Sequence, residues 1–127
     1  MKVNIGDIFV NKWGYGQTNV DFYQVVDLSK SGKTAYLRKL SQYSTDENGK
    51  PQKRNYSNGS GYTMPKKNRF VDFTDETPDL KSKMLKRRVM VHSKDRPYFY
   101  MNSARSMVSG QIAWPWDGKP VRESWYH

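Results

Sequence analysis

The apolar positions of this chain fall into short β-forming runs divided by polar turns. Ile5-Gly-Asp-Ile-Phe-Val10 reads as a Gly-Asp turn entering a first strand, with Ile8 and Val10 on one face and Phe9 on the other. Phe22-Tyr-Gln-Val-Val26 is a nearly continuous β-former run, and Thr34-Ala-Tyr-Leu-Arg-Lys-Leu40 alternates as its hairpin partner across Ser29-Lys-Ser-Gly-Lys33. Tyr36, Leu40 and Tyr43 also fit helical spacing, but the short turn after a strand favours a second strand.

Residues 44–68 break the pattern, because Asp46-Glu-Asn-Gly-Lys-Pro51 and Ser57-Asn-Gly-Ser-Gly61 carry little to bury. They read as a long polar excursion within one domain, and loops of that length are commonly functional or disordered. Thr77-Pro-Asp-Leu80 offers an N-cap, a first-turn Pro and an acid, which predicts a short helix toward Leu85. Lys86-Arg-Arg-Val-Met-Val-His92 alternates as a half-buried strand, with Val89 and Val91 inward beside Arg87, and Arg88, Met90 and His92 outward. Arg96-Pro-Tyr-Phe-Tyr-Met101 is its expected hairpin mate across Ser93-Lys-Asp95. Trp114-Pro-Trp-Asp-Gly-Lys-Pro120, with two prolines and a glycine, reads as an ordered loop whose indoles pack on the sheet.

These elements predict a mainly β (or α+β) single domain over 1–127. Its expected form is a small, strongly bent antiparallel sheet or partly open barrel with long loops and at most one or two short helices. The opening order of strand, loop, strand, hairpin and strand is like that of SH3-like barrels, an analogy of fold alone.

Composition narrows the chemistry. The chain has 127 residues and only 35% apolar content against 14% aromatic, so a small core must draw on Tyr, Phe and Trp for buried area. Its 22 Lys and Arg against 12 Asp and Glu leave a formal +10, which points to nucleic acid or a protein that carries nucleic acid as the partner. With no cysteine, disulfides and thiolate zinc sites are excluded. No run approaches the ~20 apolar residues that span a bilayer, and a cytoplasmic location, with no membrane partner, is the expectation.

Several reactions lack their parts. Gly32-Lys-Thr34 ends like a phosphate-binding loop, but Asp27 stands where the first glycine belongs and a strand follows in place of a helix. His92 and His127 are the only histidines and neither has an acid at ligand spacing, so no metal and no cofactor is expected. Ser60 in Gly59-Ser-Gly61 lacks the nucleophile-elbow pattern. The best enzyme case joins Asp21, Tyr23 and Glu123 as acid and base in a groove beside Trp13 and Trp116. Against it, Asp21 reads equally as the closer of an Asx-turn with Asn19, and Tyr23 as core.

Binding has more support. Cations and aromatic rings occur in alternation, which is what phosphate neutralisation and base stacking need. The candidate contact residues are Trp13, Tyr15, Gln17, Asn19, Tyr23, Arg38, Arg87, Arg88, Tyr98, Tyr100, Arg105, Trp116 and Lys119, with Lys81, Lys83 and Lys86 extending the densest basic run. Phe99, between Tyr98 and Tyr100, points the other way and reads as core. Single-stranded or irregular nucleic acid suits such a surface better than duplex, since no recognition helix is evident.

Trp13-Gly-Tyr-x-Gln-Thr-Asn-x-Asp-Phe-Tyr-Gln-Val-Val26, followed by Thr34-x-x-Leu-Arg38 and Pro115-Trp-Asp-Gly-Lys-Pro120, resembles a family of small uncharacterised proteins of phages and other bacterial mobile elements. Where that family often carries an acid after Trp-Gly-Tyr, this chain has Gly16. The resemblance implies a mobile-element setting and a surface shared by the two signatures, and no reaction. In that setting the competing class is an inhibitor, of anti-CRISPR or anti-restriction type. It would dock on a host nucleic-acid-dependent defence protein through Trp13, Tyr15, Trp116 and Arg122.

Overall fold

The computed structural model describes residues 2–14, 17–54, 59–71, 84–101 and 112–125. Among these residues nine strands follow in chain order: β1 (Ile8–Trp13), β2 (Asn19–Leu28), β3 (Thr34–Thr45), β4 (Ser60–Phe70), β5 (Leu85–Arg88), β6 (Met90–His92), β7 (Arg96–Tyr100), β8 (Ile112–Pro115) and β9 (Val121–Ser124). They form one antiparallel sheet in the order β6-β7-β8-β1-β2-β3-β4-β9, with β5 paired to the first part of β3. Among the described residues helix is confined to a 3-10 turn at Ser93–Asp95. The mainly β, strongly curled architecture expected from the pattern is what the chain adopts.

The long β2–β3 hairpin is the spine, and its two faces feed different cores. Tyr23 and Val25 point with Phe9, Ala35, Leu37, Phe99 and Ala113 into a first core, which β1, β3, β7 and β8 enclose. Val20 and Phe22 point the opposite way, to Leu40 and Val121, with Ile8, Val10, Phe70 and Trp116 packed against them. Alternation along β2 sends neighbouring side chains to opposite faces, and the strongly curled sheet covers both. β9 folds back over β2, where the Thr18 amide donates to Ser124 Oγ at 2.7 Å and the Ser124 amide donates to the Thr18 carbonyl at 2.9 Å. Phe9 and Phe99 meet edge to face at 4.7 Å in the first core, and each fully buried phenyl contributes about 1.5–3 kcal/mol.

The turn at Ser29–Lys33 closes as the sequence predicts, through Gly32 N to Ser29 O at 2.9 Å and Thr34 N to Ser29 Oγ at 3.1 Å. Four expectations need correction. The polar excursion ends at Ser60, not Asn68: Gly61-Tyr-Thr-Met-Pro65 lies in β4, between β3 and β9. Its Gly and Pro hid a strand whose Thr63 and Pro65 are buried. Its first part is an Asx-turn, in which Asp46 Oδ1 accepts from the amides of Asn48 and Lys50 at 2.9 and 2.8 Å.

The basic strand expected over 86–92 is two strands. It breaks at Val89, whose amide donates to Lys33 O, so β5 joins β3 while β6 joins β7. Val91 therefore lies on the sheet's edge strand and is 60% exposed, not core. Trp114 and Pro115 belong to β8 and not to a loop. Pro115 ends the strand, where a missing N–H costs little, and the Trp116 amide carries the ladder on to Ile8 O at 2.9 Å. The helix expected over 77–85 lies outside the described residues except at its end, where Leu85 opens β5.

Candidate functional site

Pairing of β1 with both β2 and β8 brings the two signature segments together. Val10 faces Trp114 and Asn11 faces Ala113 on one side, while Asn11 faces Asp21 and Trp13 faces Asn19 on the other. Their rings part company across the sheet: Trp13, Asp21 and Tyr23 belong to the first-core face, and Trp114 and Trp116 to the opposite one.

On the first face Asp21 organises the end of the β1–β2 hairpin. Its Oδ2 accepts the Trp13 indole N–H at 2.7 Å, and its Oδ1 lies 3.3 Å from Lys39 Nζ. Asn11, directly opposite in the ladder and only 5% exposed, keeps its Oδ1 away from solvent with no hydrogen-bond partner among the described residues. Gln17 Nε2 donates weakly to Asn19 Oδ1 at 3.4 Å. Held in this way, Trp13 is fixed in direction yet 44% exposed, as an interface anchor would be. Asp21 has both oxygens engaged and acts as a clamp on the indole.

On the opposite face the edge strands carry an aromatic cluster. Tyr98 tilts against Trp114 at 5.0 Å between ring centroids and meets Tyr100 edge-on at 5.4 Å. His92 adds edge contacts to Trp114 and Tyr98 at 5.7 and 6.3 Å. The Arg96 guanidinium lies over the Trp114 ring, 4.5 Å from its centroid. β6 and β7 put these side chains on one face because Met90 opposes Tyr98 and His92 opposes Arg96, and β7 opposes β8 with Phe99 at Ala113. His92 and Arg96 are exposed and Trp114 and Tyr100 half-buried, whereas Tyr98 is 7% exposed and forms the floor. A side-chain hydrogen bond with Tyr100, followed by burial, holds the Tyr98 phenol above its ordinary value of 10.0. A planar cation stacked on an indole, flanked by rings, offers stacking surface and charge at one place.

Other sequence candidates fall elsewhere. Arg38 was expected at a partner surface and is instead 5% exposed, its guanidinium 4.4 Å over the Phe70 ring, so it caps the second core. Trp116 packs edge-on against Phe22 at 5.9 Å and donates its indole N–H to Lys119 O at 2.7 Å, which makes it a lid on that core. Lys119 is exposed in the turn that Asp117 Oδ1 closes by accepting the Lys119 amide. Arg88 and Lys86 project outward from β5, while Arg87, opposite Ala35, is half-buried and donates to Lys86 O. Tyr15, Arg105, Lys81 and Lys83 lie outside the described residues.

The catalytic trio does not assemble. Glu123 shares its side of β9 with Val121, in the second core, while Asp21 lies between Val20 and Phe22 on β2 and so points to the other face. Burial raises the Glu123 carboxyl above its ordinary 4.5, and Arg54, 4.0 Å away, pulls it back in part. Among the described residues no group of three His, Asp or Glu side chains is arranged to hold a metal.

Sequence reasoning missed His92, Arg96 and Trp114 as members of one surface. A signal was present in the alternation of Arg96, Tyr98 and Tyr100 around Pro97 and Phe99, but the assignment of Trp114 to a loop concealed its place beside them. Comparison with known protein families, curated proteins and solved structures finds no match to this chain. No helix among the described residues is long and apolar enough to cross a membrane.

Proposed function

We propose that this chain is a non-enzymatic basic binding module of phage or mobile-element origin that binds nucleic acid, single-stranded or structured, alone or within a nucleoprotein. The observation that carries the reading is the Arg96–Trp114 stack, ringed by His92, Tyr98 and Tyr100 on an edge of the sheet. A net charge of +10 supplies long-range attraction to phosphates. Bases splayed from a single strand would stack on the Trp114–Arg96 plane and take hydrogen bonds from its rim, a sequence-tolerant mode. The mobile-element setting rests on the resemblance of the two signature segments.

The test is titration of labelled single-stranded and duplex oligonucleotides. Wild type is expected to favour single strands, and Trp114→Ala to weaken binding about tenfold or more, as loss of one stacked base would, while Trp114→Phe keeps most of it. Failure of wild type to bind any oligonucleotide at low salt sinks the reading. A second reading, docking on a host nucleic-acid-dependent defence protein, draws on Trp13, an indole held by Asp21 yet open to solvent. Nuclease-resistant capture of one host protein that Trp13→Ala abolishes would favour it.

A further inference from the structure

β4 carries a bulge between Pro65 and Phe70. Gln42 opposes Pro65 and Leu40 opposes Phe70, so Ser41 alone on β3 stands against Lys66, Lys67, Asn68 and Arg69 on β4. All four bulge residues are exposed. An ordinary bulge sets two residues against one, and the excess here throws a short basic loop off the sheet. Its shape is nonetheless held. Asn68 adopts φ 64, its amide donates to Gln24 Oε1 at 3.0 Å, and its Oδ1 accepts from Gln24 Nε2 at 2.7 Å.

Gln24 is itself buried in the middle of the spine strand β2, so a two-point amide clamp pins the loop to the central hairpin. Below the clamp, Phe70 and the buried guanidinium of Arg38 fill the base of the loop. The three cations pair with no carboxylate among the described residues. A fixed backbone carrying cations that meet no carboxylate among the described residues suits a phosphate contact, since little ordering entropy then opposes binding.

We infer that the Lys66–Arg69 bulge is a phosphate-binding element for the backbone of a single-stranded nucleic acid, acting alongside the aromatic surface of β6–β8. The inference rests on the nucleic-acid reading above and adds a second, sequence-independent contact to it. Arg69 supplies a planar fork for two phosphate oxygens, and Lys66 and Lys67 supply point charges. The Gln24–Asn68 clamp is a positioning device and does not touch the ligand.

The experiment measures affinity of labelled oligothymidylate and oligouridylate for wild type, K66Q/K67Q/R69Q and Q24M across a salt series, with thermal melts as the check on folding. For the triple variant the slope of log K against log salt should become less steep by about two, at roughly 0.7 per single-strand phosphate released, and by the same amount on both oligonucleotides. Q24M, which keeps every cation but unties Asn68, should weaken binding with nearly the wild-type slope. A triple variant that folds and binds with wild-type slope overturns the inference while leaving the aromatic surface standing. Weakened binding without a change of slope overturns it too, because the bulge would then act through structure alone. Absence of wild-type binding to either oligonucleotide overturns both readings, and retention of wild-type affinity by Q24M removes the positioning role of the clamp.

Discussion

Arg96 and Trp114 form a cation–π pair, with the guanidinium carbon 4.5 Å from the indole centroid, across neighbouring strands β7 and β8. Such a pair at an exposed site adds only about 0.5–1 kcal/mol to stability, so its removal leaves the fold standing. Arg96→Gln should therefore lower the melting temperature by only a few degrees. In oligonucleotide titrations it should flatten the salt slope by about 0.7, and weaken binding at low salt more than at high salt. Equal weakening at all salt concentrations would show that Arg96 acts by shaping Trp114 and not by its charge.

Trp13 presents the opposite case, an indole fixed by one polar contact and left open. Trp13→Ala should cost about 1 kcal/mol or less in thermal melts, since 44% of the residue is already in water. Asp21→Asn keeps an acceptor for the indole N–H but removes the charge facing Lys39, an ion pair worth about 0–1 kcal/mol at this exposure. A large stability loss from either variant would make the hairpin end a structural knot and remove Trp13 from the list of interface anchors.

The first half of the fold was legible because its strands are local. β1, β2 and β3 follow one another through short turns, and β-forming runs at Phe22–Val26 and Thr34–Leu40 name their own partners. β4 and β8 were illegible for one shared reason: each contains Gly or Pro among its few apolar residues, and each is flanked on one side by a strand distant in sequence. β4 lies between β3 and β9, and β8 lies between β7 and β1. Burial of Arg38 was hidden in the same way, because the Phe70 ring that receives it arrives from β4. Tyr98 and Tyr100 were placed correctly on one face by simple alternation around Phe99, whereas the indole they pack with could not be assigned without β8.

Glu123 makes stability depend on pH in a defined direction. Its carboxyl is raised in the fold, first by burial, so the folded state holds the proton more tightly than the unfolded chain. That contribution to stability is present below the ordinary value of 4.5 and is lost as pH rises through the raised folded value. Glu123→Gln removes the titration. The variant should melt at a higher temperature than wild type at neutral pH, and the two should converge below the ordinary glutamate value. A wild type that is the more stable of the two at neutral pH would mean that Arg54, at 4.0 Å, outweighs burial.

Gly14 fixes the exit from β1 and with it the direction of Trp13. Its φ of +127° is one that side chains rarely adopt, and an added Cβ would stand 2.5 Å from the Gln17 carbonyl oxygen and 2.7 Å from Asn19 Nδ2. The first of these is backbone and cannot swing aside, so Gly14→Ala must open the hairpin end. Gly32 provides the control, with φ +73° and nothing within 4 Å of an added Cβ, so Gly32→Ala carries only the left-handed backbone cost of about 1–2 kcal/mol. Gly14→Ala should exceed that by at least 1 kcal/mol in denaturant melts, since a steric clash adds to the backbone cost. It should also shift Trp13 fluorescence as the indole leaves Asp21, a change Gly32→Ala does not produce. Equal costs for the two variants would show that the chain between Trp13 and Gln17 yields freely, and that Asp21 alone orients the indole.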